Sequence, residues 1–103
     1  MVLMTTLSLE ASKKVFEIVG EYETEEFTEE VREPWVVCIP RPNFAELIRV
    51  LPKIGEKKKW NAGWGRSGTC LIDVLYNVSI IYMNAPRESE GMAAVETYLM
   101  KLL

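Results

Sequence analysis

Residues 70–83 constrain this chain most. Those fourteen positions hold one charged side chain, Asp73, and are otherwise mostly apolar. Ile72, Val74, Tyr76, Val78, Ile80 and Tyr82 alternate over six consecutive even positions, with Asp73, Asn77 and Ser79 opposite. β-Branched and aromatic residues at period two are a strand pattern. Leu71, Val74, Leu75, Val78 and Tyr82 also fit helical spacing, so periodicity alone leaves both forms open. The residue types favour the strand. A straight strand of that length would run about 46 Å, wider than a domain of this size, so it must bend or break near Asn77.

The rest of the chain is punctuated into short elements. Residues 8–20 read as a helix, with Ser8 as N-cap, Glu10 in the favoured first turn and Gly20 as the stop. Leu9, Val15, Phe16 and Val19 mark its apolar face, Ser12 completes the stripe and Ile18 lies at its edge. Tyr22 and Thr24 alternate with glutamates, which suits a solvent-edge strand over 22–28, followed by a loop. Residues 35–39 lie between Pro34 and Pro40 and are almost wholly apolar, which predicts a strand buried on both faces.

A second helix starts after Asn43, which has capping-box spacing to Glu46, and carries Phe44, Leu47, Ile48 and Leu51 on one face. Pro52 is expected to kink or end it, and Gly55 to stop it. A last helix begins at Ser89 or Glu90, with Met92, Val95, Leu99 and Leu102 on one face and Tyr98 beside them.

The order is then α-β-β-α-β-α. It describes one α+β domain over 1–103, with a small, mostly antiparallel sheet and about three helices on one face. A chain of 103 residues buries about two-thirds of its unfolded surface, so it needs no covalent staple. Composition supports this, because 49% apolar and 26% charged residues argue against disorder. A sheet this small leaves open edges and an uncovered face, and self-association as a homodimer would satisfy both.

Composition also removes chemistry. Histidine is absent, and with it the commonest general base and zinc ligand. Two cysteines, Cys38 and Cys70, do not make a structural zinc site, and both read as buried free thiols. No metal, cofactor or catalytic residue is expected, and an enzyme is the less favoured class. No apolar run approaches the roughly 20 residues of a membrane span. The opening residues, with Met4 as an alternative start, lack the basic and apolar regions of a secretory signal, so a cytoplasmic location is expected.

Charge is distributed unevenly around a net of −3. Residues 1–33 carry nine glutamates against Lys13, Lys14 and Arg32, whereas residues 34–68 carry seven basic side chains against Glu46 and Glu56. The bland reading is two solvated surfaces lying near each other. The sharper one makes the acidic run 21–33 a docking surface for a protein partner.

Lys57, Lys58, Lys59, Trp60, Trp64 and Arg66 form the candidate binding segment. Lysines would neutralise phosphates and indoles would stack on unpaired bases. The chain's acidic balance makes nucleic acid the second choice, and three lysines at a helix end are commonly just solvated. Gly63, Gly65 and Gly68 match GxGxxG, but the strand-before, helix-after context of a dinucleotide site is missing. A pocket near Trp35, Trp60, Trp64 and Asp73 is a third option, for a small molecule or an enzyme. Asp73 itself reads as a solvent-face residue.

Residues 40–60 resemble a segment of small uncharacterised proteins of bacterial phages, prophages and other mobile elements. The shared pattern is P-x-x-x-E-L-I-x-x-L-P-x-I, here from Pro42 through Glu46, Leu47, Ile48, Leu51 and Pro52 to Ile54. It is followed by G-E-K-K-x-W, here from Gly55 to Trp60. Residues 7–24 and 91–103 are similar to the same group. The resemblance implies a mobile-element accessory protein, and no site residue comes with it. Protein–protein interaction is therefore the leading expectation for function.

Overall fold

The structure is a computed structural model that describes residues 5–62 and 68–103. Its elements are α1 (Leu9–Val19), β1 (Glu26–Arg32), β2 (Trp35–Arg41), α2 (Phe44–Lys58), α3 (Leu71–Asn84) and α4 (Glu88–Met100). The class is α+β as expected, but the order is α-β-β-α-α-α, with four helices and a two-stranded antiparallel sheet.

Residues 70–83 are the largest correction: the expected strand is helix α3. Val74 and Val78 are buried, and Leu71, Leu75 and Tyr82 pack beside them, which is one helical stripe. As a helix the segment is only about 21 Å long, so it fits the domain without a break.

The hairpin also differs from expectation. Its first strand is Glu26–Arg32, not 22–28, and the stretch read as a loop is paired. A two-residue connection, containing a cis Glu33–Pro34 peptide, sets Arg32 opposite Trp35 and Glu26 opposite Arg41. Strand pairing therefore begins at that turn, and Tyr22 is left outside the ladder. The second strand reaches Arg41 and is not buried on both faces: Ile39 is enclosed, while Trp35 is 73% exposed and Val36 61%. Helices cover one face of a two-stranded sheet, and the other stays in water. Cys38 lies on that outer face and is exposed, contrary to expectation, whereas Cys70 is buried; the two are not joined by a disulfide.

The helix caps follow local chemistry. The Ser8 hydroxyl accepts from the Ala11 N–H, and Gly20 closes α1 at φ 76°. Leu9 is more exposed than its pattern implied, and Ala11, Ser12 and Val15 form the buried face. Asn43 and Glu46 make the full reciprocal capping box at 2.9 Å each.

Helix α2 does not end at Pro52 or Gly55 but continues through both to Lys58, where Lys59 takes the left-handed cap at φ 60°. Pro52 is on the exposed side, so the Ile48 carbonyl it leaves unpaired can turn to water. Gly55 is not a stop but a contact. A Cβ there would sit 2.9 Å from Trp60 Cε3, so the indole packs against bare backbone. The last helix starts at Glu88, slightly earlier than its pattern suggested.

One core joins the helices: Val15 from α1, Leu47, Leu51 and Ile54 from α2, Val74 and Val78 from α3, Met92, Val95 and Leu99 from α4. The α2–α3 seam is closed by Phe44 stacked on Tyr82, with ring centroids 3.8 Å apart. None of the helices among the described residues is long and apolar enough to cross a membrane.

Candidate functional site

The hairpin has two chemically different faces. Antiparallel partners share a face, so Phe27, Glu29 and Val31 lie with Pro40, Cys38 and Val36 on one side. Glu26, Thr28, Glu30 and Arg32 lie with Arg41, Ile39, Val37 and Trp35 on the other. The second face packs toward α1. Lys13 of α1 pairs with Glu30, Arg32 reaches Glu30 at 2.9 Å, and the Arg32 guanidinium sits 5.7 Å from the Phe16 ring centroid. Hydrogen bonds from Lys13 and then Arg32 hold the Glu30 carboxyl below its ordinary range. At the base, Arg41 donates to the Leu7 carbonyl at 2.8 Å and to the Thr28 hydroxyl at 3.0 Å.

The first face has no such cover. Phe27 is 54% exposed, Val31 67% and Val36 61%, with Cys38 between them and the base. Pro40 explains the backbone pattern along this side. It has no N–H, so Phe27–Pro40 is a non-hydrogen-bonded pair, and by alternation so are Glu29–Cys38 and Val31–Val36. The N–H and C=O groups of Val36 and Cys38 therefore point away from β1, along an edge that takes no third strand among the described residues.

The apolar face ends in a concavity. A cavity of about 320 Å³ is lined by Tyr22, Thr24, Phe27, Cys38 and Pro40 with Glu21 and Glu23. A neighbouring one of about 300 Å³ is lined by Tyr22, Glu23, Glu46, Arg49, Val50 and Lys53. Glu46 organises the wall between them. Its Oε1 accepts from the Asn43 N–H, and its Oε2 accepts from the Glu25 N–H at 2.9 Å, tying the acidic connector to α2. The Tyr22 hydroxyl is buried beside this carboxylate with no hydrogen-bond partner among the described residues. Burial first, and the Glu46 charge second, push its ionisation far above the usual phenol range, so Tyr22 is a neutral wall and not an acid–base group.

The acidic run 21–33 is distributed over this same region. Glu21, Glu23, Glu25, Glu26, Glu29 and Glu33 are exposed, and Glu30 is neutralised by Lys13 and Arg32. The hairpin therefore presents an apolar strip flanked by carboxylates.

Of the residues singled out from the sequence, Lys57, Lys58 and Lys59 are exposed at the end of α2. Trp60 packs against Gly55 and the helical core, so its indole is partly committed to the fold. Trp64 and Arg66 lie outside the described residues, as do Gly63, Gly65 and Met4. The described residues on either side of that segment are joined by Asn61 N–H to Thr69 O at 2.8 Å and Leu71 N–H to Asn61 O at 2.9 Å. Trp35 sits at the hairpin turn, Trp60 follows the far end of α2, and Asp73 is exposed in the first turn of α3. The hairpin cavities are lined by none of these three. Among the described residues no three metal-ligating side chains cluster.

Sequence reasoning missed Phe27, Val31, Val36 and Cys38 as a surface. The signal was present: β-branched or aromatic residues at alternate positions flank a two-residue Glu33–Pro34 connection. No protein-family model, curated protein or solved structure matches this chain.

Proposed function

We propose that the protein works by protein–protein interaction, with the outer face of the β1–β2 hairpin as its binding surface. The observation that carries this reading is the exposure of Phe27, Val31 and Val36 side by side, contributing nothing to the enclosed core. An apolar strip rimmed by polar groups is a docking feature. The open edge of β2 offers backbone groups to an extended segment of the partner, and the carboxylates around the strip favour basic flanks on that segment. On the resemblance read from the sequence of residues 40–60, we propose an accessory role in a phage or other mobile element as the setting of this reading.

The native thiols supply the test. Cys38 is on the face and exposed, and Cys70 is buried, so a maleimide photo-crosslinker loads at Cys38 alone. Irradiated in extract of the native host, it is expected to give a discrete adduct with one other protein. The control is the same reagent on a Cys38→Ser, Ser89→Cys variant, which places it on the exposed side of α4. No adduct from Cys38, or an identical set from both positions, would end the proposal.

A further inference from the structure

The connector between α1 and β1 is acidic and fastened to the rest of the fold. The Glu25 N–H donates to Glu46 Oε2 at 2.9 Å, and the Thr24 hydroxyl donates to the Glu26 carbonyl at 2.5 Å. Tyr22 packs against the helical core. The cavity of about 320 Å³ at the base of the outer hairpin face lies between this connector and the strands. Its walls are thus set before anything enters it, which lowers the cost of binding there. The lining is of two kinds. Phe27, Pro40 and Tyr22 supply aromatic and apolar surface, and Glu21 and Glu23, both exposed, supply carboxylates. No lysine or arginine lines it. Arg49 and Lys53 belong to the neighbouring cavity on α2, and the ion pairs among the described residues join Lys13 and Arg32 to Glu30. Two carboxylates outside any ion pair, set over an aromatic wall, are the complement of a cation on an apolar stem.

We infer that this cavity receives an arginine side chain of the partner's segment. The inference rests on the reading of the outer hairpin face as the binding surface, and it adds what the partner carries at one end of that face. The arginine methylenes pack on Phe27 and Pro40. The planar guanidinium stacks on an aromatic ring and donates paired hydrogen bonds to a carboxylate of Glu21 or Glu23. Lysine fits less well, because its ammonium is a strongly hydrated point charge that does not stack. The volume is at the lower end of the roughly 300–1,000 Å³ of small-molecule sites, which suits one side chain. Position along the strand then sets a pattern. Pro40, Cys38 and Val36 follow one another at every second residue on this face of β2. A segment laid antiparallel along the free edge of β2 has the same period of two. Its arginine at the cavity is therefore followed, at the second and fourth positions after it, by apolar side chains beside Cys38 and Val36.

The probe is a blocked synthetic peptide, Arg-Thr-Val-Thr-Val, titrated into the intact isotope-labelled chain and followed by NMR. Two further peptides replace its arginine by lysine or by citrulline, which keeps the size and removes the charge. The arginine peptide is expected to shift the amide signals of residues 21–24 and 36–38. The citrulline peptide is expected to bind roughly tenfold or more weakly, and the lysine peptide to fall between them. A Glu21→Gln, Glu23→Gln variant, altered at two exposed positions, should keep the parent's urea midpoint and bind the arginine peptide only as well as the citrulline one. A Glu88→Gln, Glu90→Gln variant on α4 changes the net charge equally and should keep the full arginine preference. Equal affinity for arginine and citrulline overturns the inference, as does no binding by either peptide. So does an arginine preference that survives the Glu21, Glu23 variant or that the α4 variant removes as well, and so does lysine binding as tightly as arginine. The hairpin reading is judged separately by the Cys38 adduct, so equal binding of all three peptides with shifts at 36–38 ends the arginine site alone.

Discussion

In the helical body apolar side chains meet one another, and on the outer face of the hairpin they meet water. Leu47, Leu51, Ile54, Val15 and Val95 are fully enclosed, and the core cluster takes no member from β1 or β2. Phe27, Val31 and Val36 have the same chemistry and remain more than half exposed. The difference shows that apolar content alone does not place a residue inside. A helix buries its stripe against neighbouring helices, whereas a two-stranded hairpin with helices on one face must leave its other face bare. The residues that hold the fold and the apolar residues left exposed on the outer hairpin face are thus separate sets.

That separation is broken or sharpened by substitution. Leu51→Ala should have the largest effect, because it opens a cavity among enclosed neighbours: a loss of about 2–5 kcal/mol in urea or thermal denaturation. A loss under about 1 kcal/mol would mean that the helical body is much looser than described. Glu46→Ala should come next, at about 1–3 kcal/mol. It removes half of the capping box and leaves the Glu25 N–H without its acceptor. Glu46→Gln, which keeps one carbonyl acceptor, should recover part of the loss; equal losses for both would show that the charge and not the hydrogen bonds matters.

Legibility followed the range of the interactions. Ser8 with Gly20, and Asn43 with Glu46, declare their helices because caps are made between residues a few positions apart. Pro52 and Gly55 misled, since their effect depends on surroundings: Pro52 faces solvent, and Gly55 makes room for Trp60. Residues 70–83 misled because of their composition. A helix apolar on both its inner and outer sides has no amphipathic contrast left, and strand-like alternation at the even positions fills the gap.

Cys38 was misplaced because burial of a strand depends on how many layers cover it, which no local pattern states. That a small sheet leaves one face uncovered was legible in outline, but the residues of that face were not, since the strand register comes from the Glu33–Pro34 connection and not from alternation. The basic segment was legible only as composition. Its lysines are exposed as a solvated helix end would be, and its Trp60 is drawn toward the core.

The central claim is that the outer hairpin face is kept for binding and not for stability. Its most direct test is a paired Val31→Lys, Val36→Glu variant, in which the two side chains stand opposite each other and their charges compensate. Its urea midpoint and its Cys38 photo-adduct are to be measured side by side with those of the parent chain. The expected result is a stability within about 0.5 kcal/mol of the parent, as for an exposed site, together with loss of the adduct. A stability loss of 2 kcal/mol or so, of the size seen for core residues, or an adduct that persists unchanged, would contradict the claim.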